Sequence, residues 1–137
     1  MQQLDGAFVQ RVLDSAPEGI AICDAQQPDY PVVYVNAAFV QLTGYAAAEV
    51  LGANLRMMQG TDREQDGLRR LREAIARGES CRVLLRNYRK SGEMFWNELT
   101  LQPIRDAEGK LTHFVSYFRD AAGRLKQADR NNEGVPG

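Results

Sequence analysis

Two asparagines stand out because both fall on the apolar parity of a predicted strand. Asn87 follows Val83 and Leu85 at alternate positions, and Asn97 lies two residues after Phe95. A buried amide without a partner costs about 1–3 kcal/mol, so two of them on neighbouring strands predict a shared polar partner. Each amide offers a donor and an acceptor, and a pair can match the alternating carbonyl and N–H edge of a uracil-like ring. The alternative is that both side chains bond to the main chain or to water beside a strand bulge.

Arginines form the second group capable of chemistry, because a guanidinium fork binds phosphate through charge-assisted, often bidentate hydrogen bonds. Arg72 shares a helical stripe with Leu68 and Ile75, where a cation needs either a route to water or an anion. Arg56 lies inside an apolar segment, and Arg63 belongs to the start of the same predicted helix as Arg72. The alternative is a solvated basic face, since that helix also carries Arg69, Arg70 and Arg77.

The strands that would position these residues are marked by alternating apolar positions between turn residues. Polar and glycine-containing turns separate five such segments, and the last three follow one another directly, with Ser91-Gly92 as a hairpin turn. The predicted strands are Gly19–Asp24, Val32–Val35, Cys81–Lys90, Glu93–Arg105 and Leu111–Arg119.

Helices are predicted before and between the strands. Apolar spacing indicates an amphipathic helix over 4–13, and Asn36 is placed to cap a short helix after the second strand. Thr61 and Glu64 have the form of a capping box for a longer helix over 62–77. Two strands, short helices, one longer helix and three strands predict an α+β fold with an antiparallel sheet and helices on one face.

Length, composition and charge narrow the class of protein. At 137 residues, with 44% apolar and 26% charged residues, the chain suits one globular domain. Its net charge of −1 argues against a general nucleic-acid or membrane surface, and we expect no transmembrane span, no signal segment and a cytoplasmic location. Cys23 and Cys81 show no metal or disulfide spacing, and the single histidine, His113, makes no triad or metal set. We therefore predict no enzyme active site and no metal site.

Three segments resemble the LOV branch of the PAS family, whose members are flavin-binding light sensors. Gly52–Gly60 reads Gly-Ala-Asn-Leu-Arg-Met-Met-Gln-Gly, beside the family signature Gly-x-Asn-Cys-Arg-Phe-Leu-Gln-Gly. The family's Asn-Tyr-Arg-Lys and Phe-Trp-Asn segments stand at 87–90 and 95–97. The resemblance covers roughly 15–122. It implies a PAS/LOV fold with a five-stranded antiparallel sheet, short helices on one face, and flanking N- and C-terminal helices.

The resemblance implies that FMN is the cofactor, with FAD and riboflavin left open. The asparagine pair would hold the pyrimidine edge of the flavin. Arg56 and Arg72 would grip the terminal phosphate, while Asn54 and Gln59 would meet the ribityl chain and the ring. Neither a glycine-rich phosphate loop nor a dinucleotide fingerprint is present, so FMN fits better than NAD. The expected flavin-binding residues are Asn54, Leu55, Arg56, Gln59, Arg63, Arg72, Asn87, Asn97, Phe118, Ala21 and Cys23.

Two departures from the family bear on the light response. LOV domains store light as a bond between a cysteine sulfur and flavin C4a, and Leu55 stands where that cysteine would be. Their last strand carries a glutamine that bonds flavin N5 and O4, and Phe118 stands in its place. Cys23, on the pocket-facing parity of the first strand, is the candidate photoactive thiol for a flavin adduct. Buried free cysteines are more simply small hydrophobes, and a flavin without an adduct would fluoresce or be photoreduced.

We expect three regions: a flanking helix at 1–14, the flavin-binding domain at 15–122, and a C-terminal helix with a frayed tail at 123–137. The flanking helices are predicted to form a homodimer and to reach a separate effector protein of unknown identity. One alternative is a cofactor-free PAS interaction module, although unpaired polar side chains in an empty cavity would be costly. Another is an engineered flavin-based fluorescent protein. The colour of the purified protein separates the cofactor-free reading from the other two.

Overall fold

The computed structural model of the chain describes residues 4–122. Within that range, no helix is both long and apolar enough to cross a membrane. The helices are Gly6–Ser15 (α1), Ala37–Thr43 (α2), Ala47–Val50 (α3) and Asp66–Arg77 (α4), with a 3-10 helix at Leu55–Gln59. The strands are Gly19–Asp24 (β1), Val32–Val35 (β2), Cys81–Tyr88 (β3), Met94–Arg105 (β4) and Leu111–Asp120 (β5). The predicted C-terminal helix and tail at 123–137 lie outside the described residues.

The five strands form one antiparallel sheet in the order β2-β1-β5-β4-β3, which confirms the predicted α+β architecture. The first and last strands are central neighbours, with Ala21 opposite Ser116. Burial alternates along β3, where Val83, Leu85 and Asn87 are buried and the residues between them are more exposed. The inner face of the sheet, which holds the asparagine pair, is therefore the face that the helices cover.

The core lies between this inner face and the helices. Phe118 of β5 meets Phe39 of α2 edge to face, with ring centroids 5.0 Å apart and an interplanar angle of 75°, an arrangement that aromatic pairs favour. Gly19 permits this close packing, because a Cβ there would lie 3.1 Å from Phe118 Cβ and from Phe39 Cα. The core side chains of the helices and the 3-10 helix include Phe39, Val50, Met58 and Leu68.

Asn36 has the predicted role of N-cap for α2, and it also ties other segments together. Its Oδ1 accepts hydrogen bonds from the main-chain N–H groups of Phe39 at 3.0 Å and Ile20 at 2.8 Å. Its Nδ2 donates to the main-chain carbonyls of Leu13 at 2.8 Å and Glu18 at 3.0 Å. One buried amide thus joins the start of α2, the start of β1 and the end of α1.

The predicted N-terminal helix forms as α1, two residues further along the chain than expected. None of its residues is buried, and Phe8, Val9 and Val12 are 40%, 40% and 50% exposed. Near its C-terminal end, Asp14 accepts a hydrogen bond of 2.8 Å from the Tyr34 hydroxyl of β2. The helix is thus attached through hydrogen bonds at one end and presents apolar side chains to solvent.

The capping box predicted at Thr61 and Glu64 is wrong, because α4 begins only at Asp66. The Gln65 side chain bonds to β3 instead: Oε1 accepts from the Arg86 main-chain N–H at 2.7 Å, and Nε2 donates to the Arg86 carbonyl at 3.0 Å. The segment before α4 is therefore pinned to the sheet edge and does not continue the helix.

Asp62 strengthens the same attachment. Its carboxylate accepts from the Arg86 guanidinium at 2.6 and 2.8 Å and from the Tyr88 hydroxyl at 2.7 Å. These hydrogen bonds lower the pKa of Asp62 from 3.8 to about 2, because they favour the ionised form.

Candidate functional site

A cavity of about 360 Å³ lies between the inner face of the sheet, the 3-10 helix and α4. Its volume falls in the range of small-molecule sites, about 300–1,000 Å³. Its walls are largely apolar, with Ser116 as a small polar member. The apolar lining comprises Leu55, Leu68, Leu71, Ile75, Ala76, Leu85, Leu99 and Phe118.

Most of the polar residues singled out in the sequence converge on this cavity. Six of them line it although they come from the 3-10 region, α4 and β3: Asn54, Arg56, Gln59, Arg63, Arg72 and Asn87. Leu55 and Phe118 line it too, so the two positions that depart from the family pattern face the same space. Ala21 and Asn97 do not line it, and both are fully buried.

The two asparagines lie one behind the other, with Asn87 at the cavity and Asn97 further from it. Asn97 Nδ2 donates to Asn87 Oδ1 at 2.9 Å, and Asn97 Oδ1 accepts from the Arg119 main-chain N–H at 3.1 Å. Asn87 Nδ2 donates to the Arg86 carbonyl at 3.0 Å. Within residues 4–122, no buried side-chain nitrogen or oxygen lacks a hydrogen-bond partner. The pair therefore bonds to itself and to the main chain, with Asn87 at the cavity wall and Asn97 behind it.

Three guanidinium groups are exposed at the mouth of the cavity, and they differ in their partners. Arg56 Nη2 contacts both carboxylate oxygens of Asp29, at 2.7 and 2.6 Å. Arg63 Nε reaches the Gly60 carbonyl at 3.5 Å. The Arg72 side chain makes no hydrogen bond or ion pair with the described part of the chain. Arg72 lies on the apolar stripe of α4, but its position at the mouth leaves the guanidinium exposed to water.

The loop at Asp29 and Tyr30 was missed as part of the site by the sequence analysis. Both residues have left-handed backbone angles, with φ of 66° and 49°, and both line the cavity. Asn54 Nδ2 donates to the Asp29 carbonyl at 2.7 Å, and the Tyr30 ring packs edge-on to Phe114 at 6.1 Å. Glycine, asparagine and aspartate are the residue types found most readily in this region, so Asp29 gave only a weak signal for this conformation and Tyr30 gave none.

Cys23 lines a smaller adjoining cavity of about 80 Å³, which shares Tyr30, Leu55 and Ser116 with the larger one. Its side chain is 6% exposed, and burial raises the pKa of the thiol to about 12. The group is therefore a protonated thiol at neutral pH. Cys81, at the start of β3, lines neither cavity.

No group of three or more histidine, cysteine, aspartate and glutamate side chains within 4–122 is arranged to hold a metal ion. The cavity instead combines apolar walls, an amide face and a cationic mouth. That set is suited to a flat, amphipathic molecule that carries an anionic group at one end.

Comparison with protein families gives a match between residues 17–121 and the PAS domain. Blue-light-activated histidine kinase 1 of Erythrobacter litoralis is 50% identical over 95 residues, which cover 69% of this chain and 26% of that protein. The blue-light photoreceptor of Listeria monocytogenes is 39% identical over 112 residues, covering 82% of this chain and 44% of that protein. The bacterioopsin transcriptional activator of Halobacterium salinarum is 40% identical over 116 residues, 85% and 17% of the respective chains.

Solved structures agree with this match. The LOV domain of a blue-light activated histidine kinase from Erythrobacter litoralis superposes with a TM-score of 0.72 at 39% identity, covering 77% of this chain and 96% of that one. An RNA-binding light-oxygen-voltage receptor gives a TM-score of 0.85 at 35% identity, covering 97% of this chain and 40% of that one. The chain spans less than half the length of these three curated relatives.

Proposed function

Because the chain belongs to the LOV branch of the PAS domain family, we propose that it senses blue light through FMN bound in the cavity between its sheet and α4. The observation that carries the proposal is the convergence of amides and guanidinium groups on one apolar-walled space. A bound flavin supplies the absorption of blue light. The chain supplies the binding, the orientation and the exclusion of water.

The walls and the amide face suit the ring. Leu85, Leu99 and Phe118 offer apolar surface for a flat aromatic system. Asn87 presents its amide at the wall, while Asn97 holds that amide in place from behind. We assign recognition of the polar ring edge to Asn87 and a positioning role to Asn97. Ala21 lies on the same inward face and stays a proposed neighbour of the ring.

The mouth suits the phosphate. Arg72 has no partner within the described residues, and Arg63 makes one long contact to a main-chain carbonyl. Both therefore keep donors for an anion, and a guanidinium matches phosphate geometry. Asn54 and Gln59 also line the cavity, and we assign the ribityl chain to them. FMN, which carries the phosphate, is thus favoured over riboflavin.

We propose that Cys23 is the photoactive thiol of the site. It lies in the smaller cavity that also touches Leu55, so it faces the interior from the sheet side. Burial keeps the thiol protonated in the dark. Leu55 contributes no nucleophile from the opposite wall, and Phe118 contributes no amide that could change hydrogen-bond partners.

Spectroscopy of the purified chain tests the flavin proposal. We expect a yellow, green-fluorescent protein that releases FMN on denaturation, as identified by chromatography and mass. Asn87→Ala and Arg72→Ala should weaken FMN binding, whereas the charge-removing Glu49→Gln, which breaks an ion pair with Lys90 away from the cavity, should not. A colourless protein that takes up no FMN in titration would refute the proposal.

A second candidate is a cofactor-free interaction module. It is favoured by one observation: the buried amides are satisfied within the protein, so they need no ligand to offset their burial. Under this reading, the exposed arginines at the mouth would be solvated surface. The same FMN titration decides between the two candidates.

We propose that the chain forms a homodimer through α1, because a helix without buried residues leaves Phe8, Val9 and Val12 open to a partner. Packing the stripes of two copies together would remove this apolar surface from water. Phe8→Glu should shift the protein toward monomer in sedimentation equilibrium, whereas Arg11→Glu on the same helix should shift it less. A wild-type chain that stays monomeric in light and dark would contradict the proposal.

We propose that this stretch acts as a sensor and that catalysis or other output lies outside it. The histidine kinase activities in the relatives' names belong to those longer proteins. Signals would leave through the ends of the domain, where α1 precedes β1 and β5 reaches Asp120.

A further inference from the structure

Asp29 bonds to one nitrogen of Arg56, whose guanidinium group the family resemblance assigns to the ligand phosphate. Its two carboxylate oxygens lie 2.7 and 2.6 Å from Arg56 Nη2. The pair stands at the cavity mouth, and its side chains are 47% and 61% exposed, Arg56 first. Carboxylate and phosphate compete for the same fork of donors. Arg72, on the same mouth, has no such competitor in the described residues.

We propose that Asp29 sets the selectivity of the cavity between phosphorylated and unphosphorylated flavins by competing with a terminal phosphate for Arg56. The inference rests on the proposed flavin function. An anionic ligand group must displace the carboxylate from Arg56 or share the guanidinium with it. Riboflavin, which has no phosphate, does not meet this penalty. Asp29 thus reduces the extra affinity that the three arginines give to FMN over riboflavin.

Different atoms of Asp29 carry its charge and its structural role in the loop. The main-chain carbonyl of Asp29 receives the short 2.7 Å bond from Asn54 Nδ2, whereas the carboxylate lies at 3.4 Å from that nitrogen. The residue also holds a left-handed angle, φ 66°, which asparagine tolerates well. Asp29→Asn therefore removes the charge while keeping the loop conformation and the carbonyl acceptor. Asp29 acts through Arg56 and is a positioning residue.

The test is a double-mutant cycle on the full chain, freed of bound flavin and titrated with FMN and with riboflavin. Asp29→Asn should raise the ratio of FMN to riboflavin affinity about two- to fivefold, the size expected from an exposed ion pair. In the Arg56→Gln background the same substitution should leave the ratio unchanged, because the competed group is gone. Glu49→Gln serves as the charge-matched control and should leave the ratio unchanged in both backgrounds.

The affinity for riboflavin serves as the internal control, because it reports damage to the cavity that does not involve the phosphate. If Asp29→Asn shifts both affinities by the same factor, or neither, the carboxylate does not compete with phosphate and the inference is overturned while flavin binding stands. If the wild-type chain binds neither ligand, the proposed function falls and this inference falls with it. A ratio that rises equally with and without Arg56 would assign the effect to general charge and would also overturn the inference.

Discussion

Truncating Asn97 to alanine should be among the more damaging changes to the sheet, although Asn97 does not line the cavity. The side chain is fully buried and links Asn87 to the Arg119 main-chain N–H. Its removal leaves two groups without their partner, each at about 1–3 kcal/mol when buried. Asn87 borders the cavity, where water can reach it, so its share lies at the low end. We therefore expect Asn97→Ala to lower the free energy of unfolding by about 2–4 kcal/mol.

The measurement is urea unfolding followed by circular dichroism, with the midpoint and the slope fitted together. Asn87→Ala is the matched variant: it opens space beside the cavity, water can satisfy Asn97 Nδ2, and the loss should be about 1–2 kcal/mol. Flavin affinity should follow the opposite order, because Asn87 lines the cavity and Asn97 does not. An Asn97→Ala protein within about 0.5 kcal/mol of wild type, the scatter of neutral surface changes, would refute this reasoning, as would a larger loss from Asn87→Ala.

Two further predictions concern thiols and acid. Cys23→Ala should abolish reversible blue-light bleaching of the bound flavin absorption, while Cys81→Ser should retain it; bleaching that survives in Cys23→Ala would exclude that thiol. Asp62 has a folded-state pKa of about 2, below its ordinary 3.8, so its stabilising contribution is present above the ordinary pKa and is lost as the pH falls through the folded value. Asp62→Asn should therefore flatten the fall of the urea midpoint between those two pH values, and an unchanged acid limb would contradict this assignment.

Much of the sheet was predictable because alternation is a local property of the chain. The inward parity of Asn87, Leu99 and Phe118 followed from spacing alone, and it put them on one face whatever the helices did. The alternation does not show, however, which of the inward-facing residues line the cavity. Asn97 shares that face, yet it does not line the cavity, and its amide bonds to Asn87 and to the Arg119 main-chain N–H.

The parts of the site that could not be predicted depend on contacts between distant residues. The left-handed angles at Asp29 and Tyr30 are held in part by Asn54, which lies 25 residues away from Asp29. Similarly, Gln65 bonds across 21 residues to Arg86, and this tertiary contact outweighs the local preference of a capping box. Local patterns carry no information about such bonds.

The manner in which α1 is fastened has a mechanical consequence. A packed helix is held in place by the apolar surface that it buries, so tilting it costs free energy in proportion to the surface uncovered. This one is held where Asn36 meets the Leu13 carbonyl and where Tyr34 meets Asp14, each bond contributing about 1 kcal/mol net. Its angle to the domain is therefore a soft coordinate, with a hinge at its last turn. If the proposed homodimer forms through α1, the second copy could tilt this helix without disturbing the interior of the domain.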